Sequence, residues 1–166
     1  MQISSNQAIA RVLVIAFLAA MSGCSGFREP VITIVDAQVT ERSDIAIGLG
    51  LRLDLANSNS EPVELYEFTY AVTINGAGTY RGKWSASATL PANGSRQLVV
   101  PAVVRYDQLG WTENSVPAEA RFDVTGSLLY IAPGDIAEIL FDTGVRKPKV
   151  SFNGQGILRI AESPDK

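Results

Sequence analysis

The chain contains no histidine. That removes the usual general base of nucleophilic triads and the commonest metal ligand together. Asp135, Glu138 and Asp142 form the nearest carboxylate cluster. On an extended strand Glu138 and Asp142 share a face while Asp135 points away, so three convergent oxygens for Ca²⁺ do not follow. These acids read as solvated edge charges, of the kind that guard a sheet against edge-to-edge pairing. The aromatics Tyr66, Phe68, Tyr70, Tyr80, Trp84 and Trp111 offer flat π-faces suited to stacking on sugar rings. Tyr66, Phe68 and Tyr70 alternate along one strand face and read as core. Trp84 and Trp111, each beside polar residues, remain the candidates for an exposed binding platform. Asn93-Gly94-Ser95 has the form of a glycosylation acceptor but reads as a hairpin turn. No catalytic residue, metal site or cofactor is assigned, and the expectation is that the protein is not an enzyme.

The sole cysteine, Cys24, has a different setting. Arg11 is the only charged residue among the first 24, and Val12 to Ala20 is an uninterrupted apolar run. Spanning a bilayer takes about 20 such residues, so the run has the length of the apolar part of an export signal. Met21-Ser22-Gly23-Cys24 then places small residues just before the cysteine. This resembles the lipobox of bacterial lipoproteins, with Met21 in place of the usual leucine, and implies cleavage before Cys24 and its acylation. Several acyl chains hold firmly, each buried CH₂ adding about 0.8 kcal/mol. Ser25 is not the aspartate that resembles an inner-membrane retention signal, so a Gram-negative source would place the protein on the outer membrane facing the periplasm. With Cys24 acylated no disulfide remains, and the fold must hold by packing.

With 166 residues the chain has the length of about one domain. Hydrophobic residues make up 46% and charged residues 19%, which is not the composition of a disordered protein. Fourteen basic against 17 acidic residues give a net charge of −3, and no basic footprint for nucleic acid.

The elements follow from period-two alternation. Ile45, Ile47, Leu49, Leu51, Leu53 and Leu55 occupy every second position and predict a central strand with one face buried against a second sheet. Gly48 and Gly50 on its outer side point to a bulge or to a close neighbour. Before it, Val31, Thr33, Val35, Ala37 and Val39 make one face of a first strand. After Asn57-Ser58-Asn59-Ser60-Glu61-Pro62, a turn cluster, a third strand puts Tyr66, Phe68, Tyr70, Val72 and Ile74 on one face. Asn75-Gly76 signals a hairpin into a strand from Thr79 to Ala86. Gln97 to Val104 is a buried strand, at an edge or bulge because of Pro101, and one or two helical turns are expected between Arg105 and Glu119. Phe122, Val124, Gly126, Leu128 and Tyr130 restore alternation. Asp135 and Glu138 have capping-box spacing, yet Gly144 follows closely and Ile136 to Asp142 reads as a strand. Val150 to Phe152 and Ile157 to Ile160 read as short additional strands.

The expected fold is therefore all-β, a seven-stranded antiparallel β-sandwich of immunoglobulin or fibronectin type III shape with one short helix. Residues 1–23 would be a lipoprotein signal peptide, 24–29 a lipidated tether, 30–160 the domain and 161–166 a tail.

The order of these pieces resembles the late embryogenesis abundant type 2 domain, also called the WHy (water stress and hypersensitive response) domain. The matching residues are Pro30-Val31, LGLRLDLANSN at 49 to 59, Tyr70-Ala-Val-Thr-Ile-Asn-Gly76, Gly82, Leu90-Pro-Ala-Asn-Gly94, Phe122-Asp-Val-Thr-Gly-Ser-Leu128, Pro133-Gly-Asp135 and Gly144. Members commonly carry Asn-Pro-Asn where this chain has Asn57-Ser58-Asn59. The resemblance implies a folded stress protein associated with dehydration, salt or cold, without established catalytic residues, and carries Asn57 and Asn59 over as structural turn residues. The function expected is that of a lipid-anchored envelope protein protecting neighbours by non-catalytic contact. The alternative is an envelope binding or assembly module for a partner protein or polysaccharide, acting through Trp84, Trp111 or an exposed sheet edge.

Overall fold

Alternation of apolar and polar residues drives the chain into strands, and a computed structural model describes residues 26–112 and 115–160 of it. The expected signal peptide, the acylated Cys24 and the tail at 161–166 lie outside the described residues. In chain order the elements are β1 (Val31–Arg42), β2 (Ala46–Asn57), β3 (Val63–Ile74), β4 (Gly78–Leu90), β5 (Gly94–Arg105), α1 (Tyr106–Leu109), β6 (Glu119–Ile131), α2 (Asp135–Asp142) and β7 (Lys149–Arg159). All strand pairs are antiparallel. One sheet has the order β1-β2-β5 and the other β4-β3-β6-β7. The sheets close face to face with β1 along β7 and β5 along β4. This is the fibronectin type III arrangement of a β-sandwich, as the sequence predicts.

The core is set by β2, where Ile47, Leu49, Leu51, Leu53 and Leu55 are each at most 1% exposed. Burying each side chain of this size contributes about 1.5–3 kcal/mol. Ile45, expected with them, is 65% exposed because the ladder begins at Ala46. The outward glycines answer to close neighbours: a Cβ on Gly50 would lie 2.9 Å from Val99 Cγ1 and 3.0 Å from Thr40 Cγ2, and one on Gly48 3.2 Å from Thr40 Oγ1. Thr40 is brought there by a bulge in β1 between Val39 and Glu41.

Two further bulges overturn the expected faces. In β1 the register shifts between Ile34 and Asp36. Ile32 and Ile34 therefore face inward before it, Ala37 and Val39 after it, and Val31, Thr33 and Val35 face solvent. In β3 the shift lies between Leu65 and Glu67. Val63 and Leu65 join Phe68, Tyr70, Val72 and Ile74 in the core, and Tyr66 is expelled to the outer face. One extra residue reverses every side chain beyond it, so a face read through a bulge is wrong on one side.

Asp135–Asp142 is a helix, not the expected strand. Ala137 and Phe141 fall one turn apart on one face, as do Ile136 and Ile139 on another. Gly144, at φ 76°, closes the helix in the left-handed conformation, and its N–H donates to the Phe141 carbonyl at 3.0 Å. The helix lies in the β6–β7 connection, a second helix beside the short α1 expected after β5. The two short strands foreseen after Val150 are one, β7, with Gly154 in its middle passing beneath Ile34 of β1.

Candidate functional site

One end of the sandwich gathers the segment entering β1, the β2–β3 loop, the β4–β5 turn and the α2 connection. At its centre is Asn57, a buried polar residue at 3% exposure. Its amide nitrogen donates to the carbonyls of Glu61 at 2.9 Å and Pro91 at 3.0 Å, while its oxygen accepts from the backbone N–H of Asn59 at 2.9 Å. One side chain thus holds both crossings between the sheets at this end, while the third, from β5 to β6, lies at the other. Asn59 extends the network outward. Its amide donates to Asn57 Oδ1 at 2.7 Å and to the Arg28 carbonyl at 2.7 Å, and its oxygen accepts the Arg28 N–H at 2.8 Å. Its own carbonyl accepts the N–H of Asn93 at 2.8 Å. Ser58 contributes none of these bonds, so replacement of the family's middle proline leaves the network intact.

Asn93, at φ 47°, is a turn residue. Gly26, Phe27 and Arg28 line a crevice of about 470 Å³ with Asn59, Asn93 and Pro133. Phe27 stacks on Tyr130 with ring centres 5.8 Å apart. Burial raises the Tyr130 pKa, with the Glu29 charge adding to the rise and Arg146 opposing it.

The two tryptophans pack on different rings. Trp84 on β4 is half-buried, 5.9 Å from Phe68, and Trp111 after α1 is half-buried, 6.5 Å from Tyr106. Glu138 and Asp142 lie exposed one turn apart on α2. Among the described residues no three His, Cys, Asp or Glu side chains could hold a metal ion.

What pattern reading missed is the outer face of the four-stranded sheet. An open groove of about 800 Å³ there is lined by Thr69, Arg81, Lys83, Thr125, Ser127 and Ser151. The register puts Lys83, Thr69, Ser127 and Ser151 in one row across all four strands, at the inter-strand step of about 4.8 Å. The signal was present as the polar half of each alternation, but its alignment depends on registers that only pairing fixes. Beneath it, the Tyr70 hydroxyl donates to the carbonyl of Pro101 on the edge strand β5. Burial, reinforced by a hydrogen bond and unfavourable charge interaction with Tyr80, raises the Tyr70 pKa.

Fold and site define a β-sandwich with a fully bonded polar hub at one end and an open hydroxyl- and cation-lined face. A family model described as late embryogenesis abundant protein matches residues 52–160, and the chain belongs to that family. Solved structures share the fold. An Arabidopsis thaliana protein superposes with a TM-score of 0.62 at 14% identity, over 87% of this chain and 90% of that one. A structure described as a late embryogenesis abundant (LEA) protein gives 0.62 at 14%, over 93% and 84%. A protein from Archaeoglobus fulgidus gives 0.53 at 12%, over 80% and 100%. Comparison with curated proteins finds no match.

Proposed function

We propose that this is a lipid-anchored cell-envelope protein whose late embryogenesis abundant domain, of the type 2 or WHy kind, protects its neighbours during water loss by non-catalytic contact. Acylated Cys24 holds it on the membrane, the outer one facing the periplasm in a Gram-negative cell. The observation that carries the reading is the open face of the four-stranded sheet. Its row of Lys83, Thr69, Ser127 and Ser151 presents donors and acceptors to any polar surface that loses its water. A buried core with no disulfide stands behind it. The same hydroxyl row favours, as a second reading, a standing envelope partner such as a protein or polysaccharide.

The test is survival of drying in the native host lacking this chain. Return of the wild-type chain should restore survival, and Cys24→Ser, released from the membrane, should restore less. A host without the chain that dries and recovers as well as its parent would remove the protective role.

A further inference from the structure

The α2 connection leaves an apolar face without cover. Phe141 turns inward, its ring 5.1 Å from the expelled Tyr66. Ile136 and Ile139, three residues apart and so on one side of the helix, are 74% and 62% exposed, and Val145 just beyond the helix is 73% exposed. Among the described residues five large apolar side chains reach 62% exposure or more, and four of them, Val31, Ile136, Ile139 and Val145, sit at this one end; Ile45 alone is at the other. Such clustering marks a surface that meets something apolar.

The chain itself says what. Gly26, Phe27 and Arg28 lie at this same end and line the crevice with Pro133, and Arg28 is clamped by Asn59. Cys24 is two residues before Gly26, a reach of about 7 Å of extended chain. A tether that short holds this end, and no other, against the surface bearing the lipid. We infer that this end of the sandwich docks on the bilayer that anchors Cys24, with Ile136, Ile139 and Val145 entering the boundary between headgroups and acyl chains. The inference rests on the acylation of Cys24 proposed above. Exposed Arg28, Arg146, Lys147 and Lys149 are matched at this end by exposed Glu29, Glu61, Glu138 and Asp142, so the contact is apolar and does not depend on anionic lipid. The patch is too small to bind a membrane unaided, but the tether supplies a high effective concentration. The docked pose turns the long axis of the sandwich away from the membrane and leaves the open face of the four-stranded sheet accessible from the side.

The experiment uses the full chain purified from membranes. Its mass first reports whether Cys24 carries acyl groups. If it does, Ile139→Cys supplies the one free thiol for an environment-sensitive fluorophore, and Ile45→Cys, equally exposed at the far end, supplies the control. Reconstituted in phosphatidylethanolamine–phosphatidylglycerol vesicles, the probe at 139 should be quenched by spin-labelled lipid at least about twofold more than the probe at 45, in low and high salt alike. Equal quenching at both positions in an acylated chain overturns the docking face. Shielding of the probe at 139 without quenching by lipid assigns the face to a second copy and overturns it too. A mass without acyl groups overturns the anchor, a separate result read before any quenching.

Discussion

Asn59 and Arg28 are joined by two reciprocal hydrogen bonds, the side-chain amide of one pairing with both backbone groups of the other at 2.8 and 2.7 Å. A side chain here imitates a strand partner, and it fixes the segment that leads into β1. The partner amide of Asn57 is bonded inward in turn, so the segment entering β1 is connected to both inter-sheet crossings at this end.

Asn57→Ala should destabilise the domain by about 1–3 kcal/mol, because a buried side chain is removed and the partly buried carbonyls of Glu61 and Pro91 lose their donor. Asn59→Ala should cost less, about 0.5–1.5 kcal/mol, since its partners can turn to solvent. Urea unfolding with an unchanged slope checks both.

Tyr70 links stability to alkaline pH. Its folded pKa is raised by burial and by Tyr80, whereas an unfolded tyrosine ionises near about 10. The folded state therefore retains the proton when the unfolded state has lost it. The contribution is complete below about pH 10 and falls as pH rises beyond that toward the folded pKa. Tyr70→Phe should flatten the alkaline loss, at a cost of about 0.5–1.5 kcal/mol near neutrality for the bond to Pro101. Urea midpoints from neutral to strongly alkaline pH decide it.

Tyr106 offers the opposite case. Its hydroxyl is buried and has no hydrogen-bond partner among the described residues, so the group carries a desolvation cost with no return. Tyr106→Phe should be as stable as the wild type or up to about 1 kcal/mol more stable. A clear loss of melting temperature would mean that the hydroxyl is bonded.

Gly126 is required by space. A Cβ there would lie 2.6 Å from Phe152 Cζ and 2.8 Å from the Thr69 carbonyl oxygen. Backbone cannot yield as a side-chain tip can, so Gly126→Ala should cost about 1–3 kcal/mol. Thermal unfolding of this variant beside Gly26→Ala, where nothing lies within 4 Å, separates crowding from the intrinsic preference of glycine.

The central strand was legible because Ile47 to Leu55 keep strict alternation without interruption, and the hairpin at Asn75-Gly76 because both residues adopt positive φ, 49° and 71°. Val35 and Tyr66 were misplaced because a bulge is one residue of geometry with no composition of its own. The helix at Asp135–Asp142 was hidden by its length, too short to repeat a 3.6 period clearly, although Ile136, Ile139 and Leu140 carry that spacing. Asn57 and Asn59 could be placed in a turn, but not seen as a hub. Their partners at Arg28, Pro91 and Asn93 are about 30 residues away in sequence and converge only once both sheets have formed.

The most direct test of protection by contact uses residues 26–160 mixed with a labile reporter enzyme and then dried, or frozen and thawed. Contact is stoichiometric, so recovered activity should climb with the ratio of domain to reporter, level off, and exceed that given by an equal mass of an inert β-sandwich. Recovery no better than that inert control at every ratio would contradict the account.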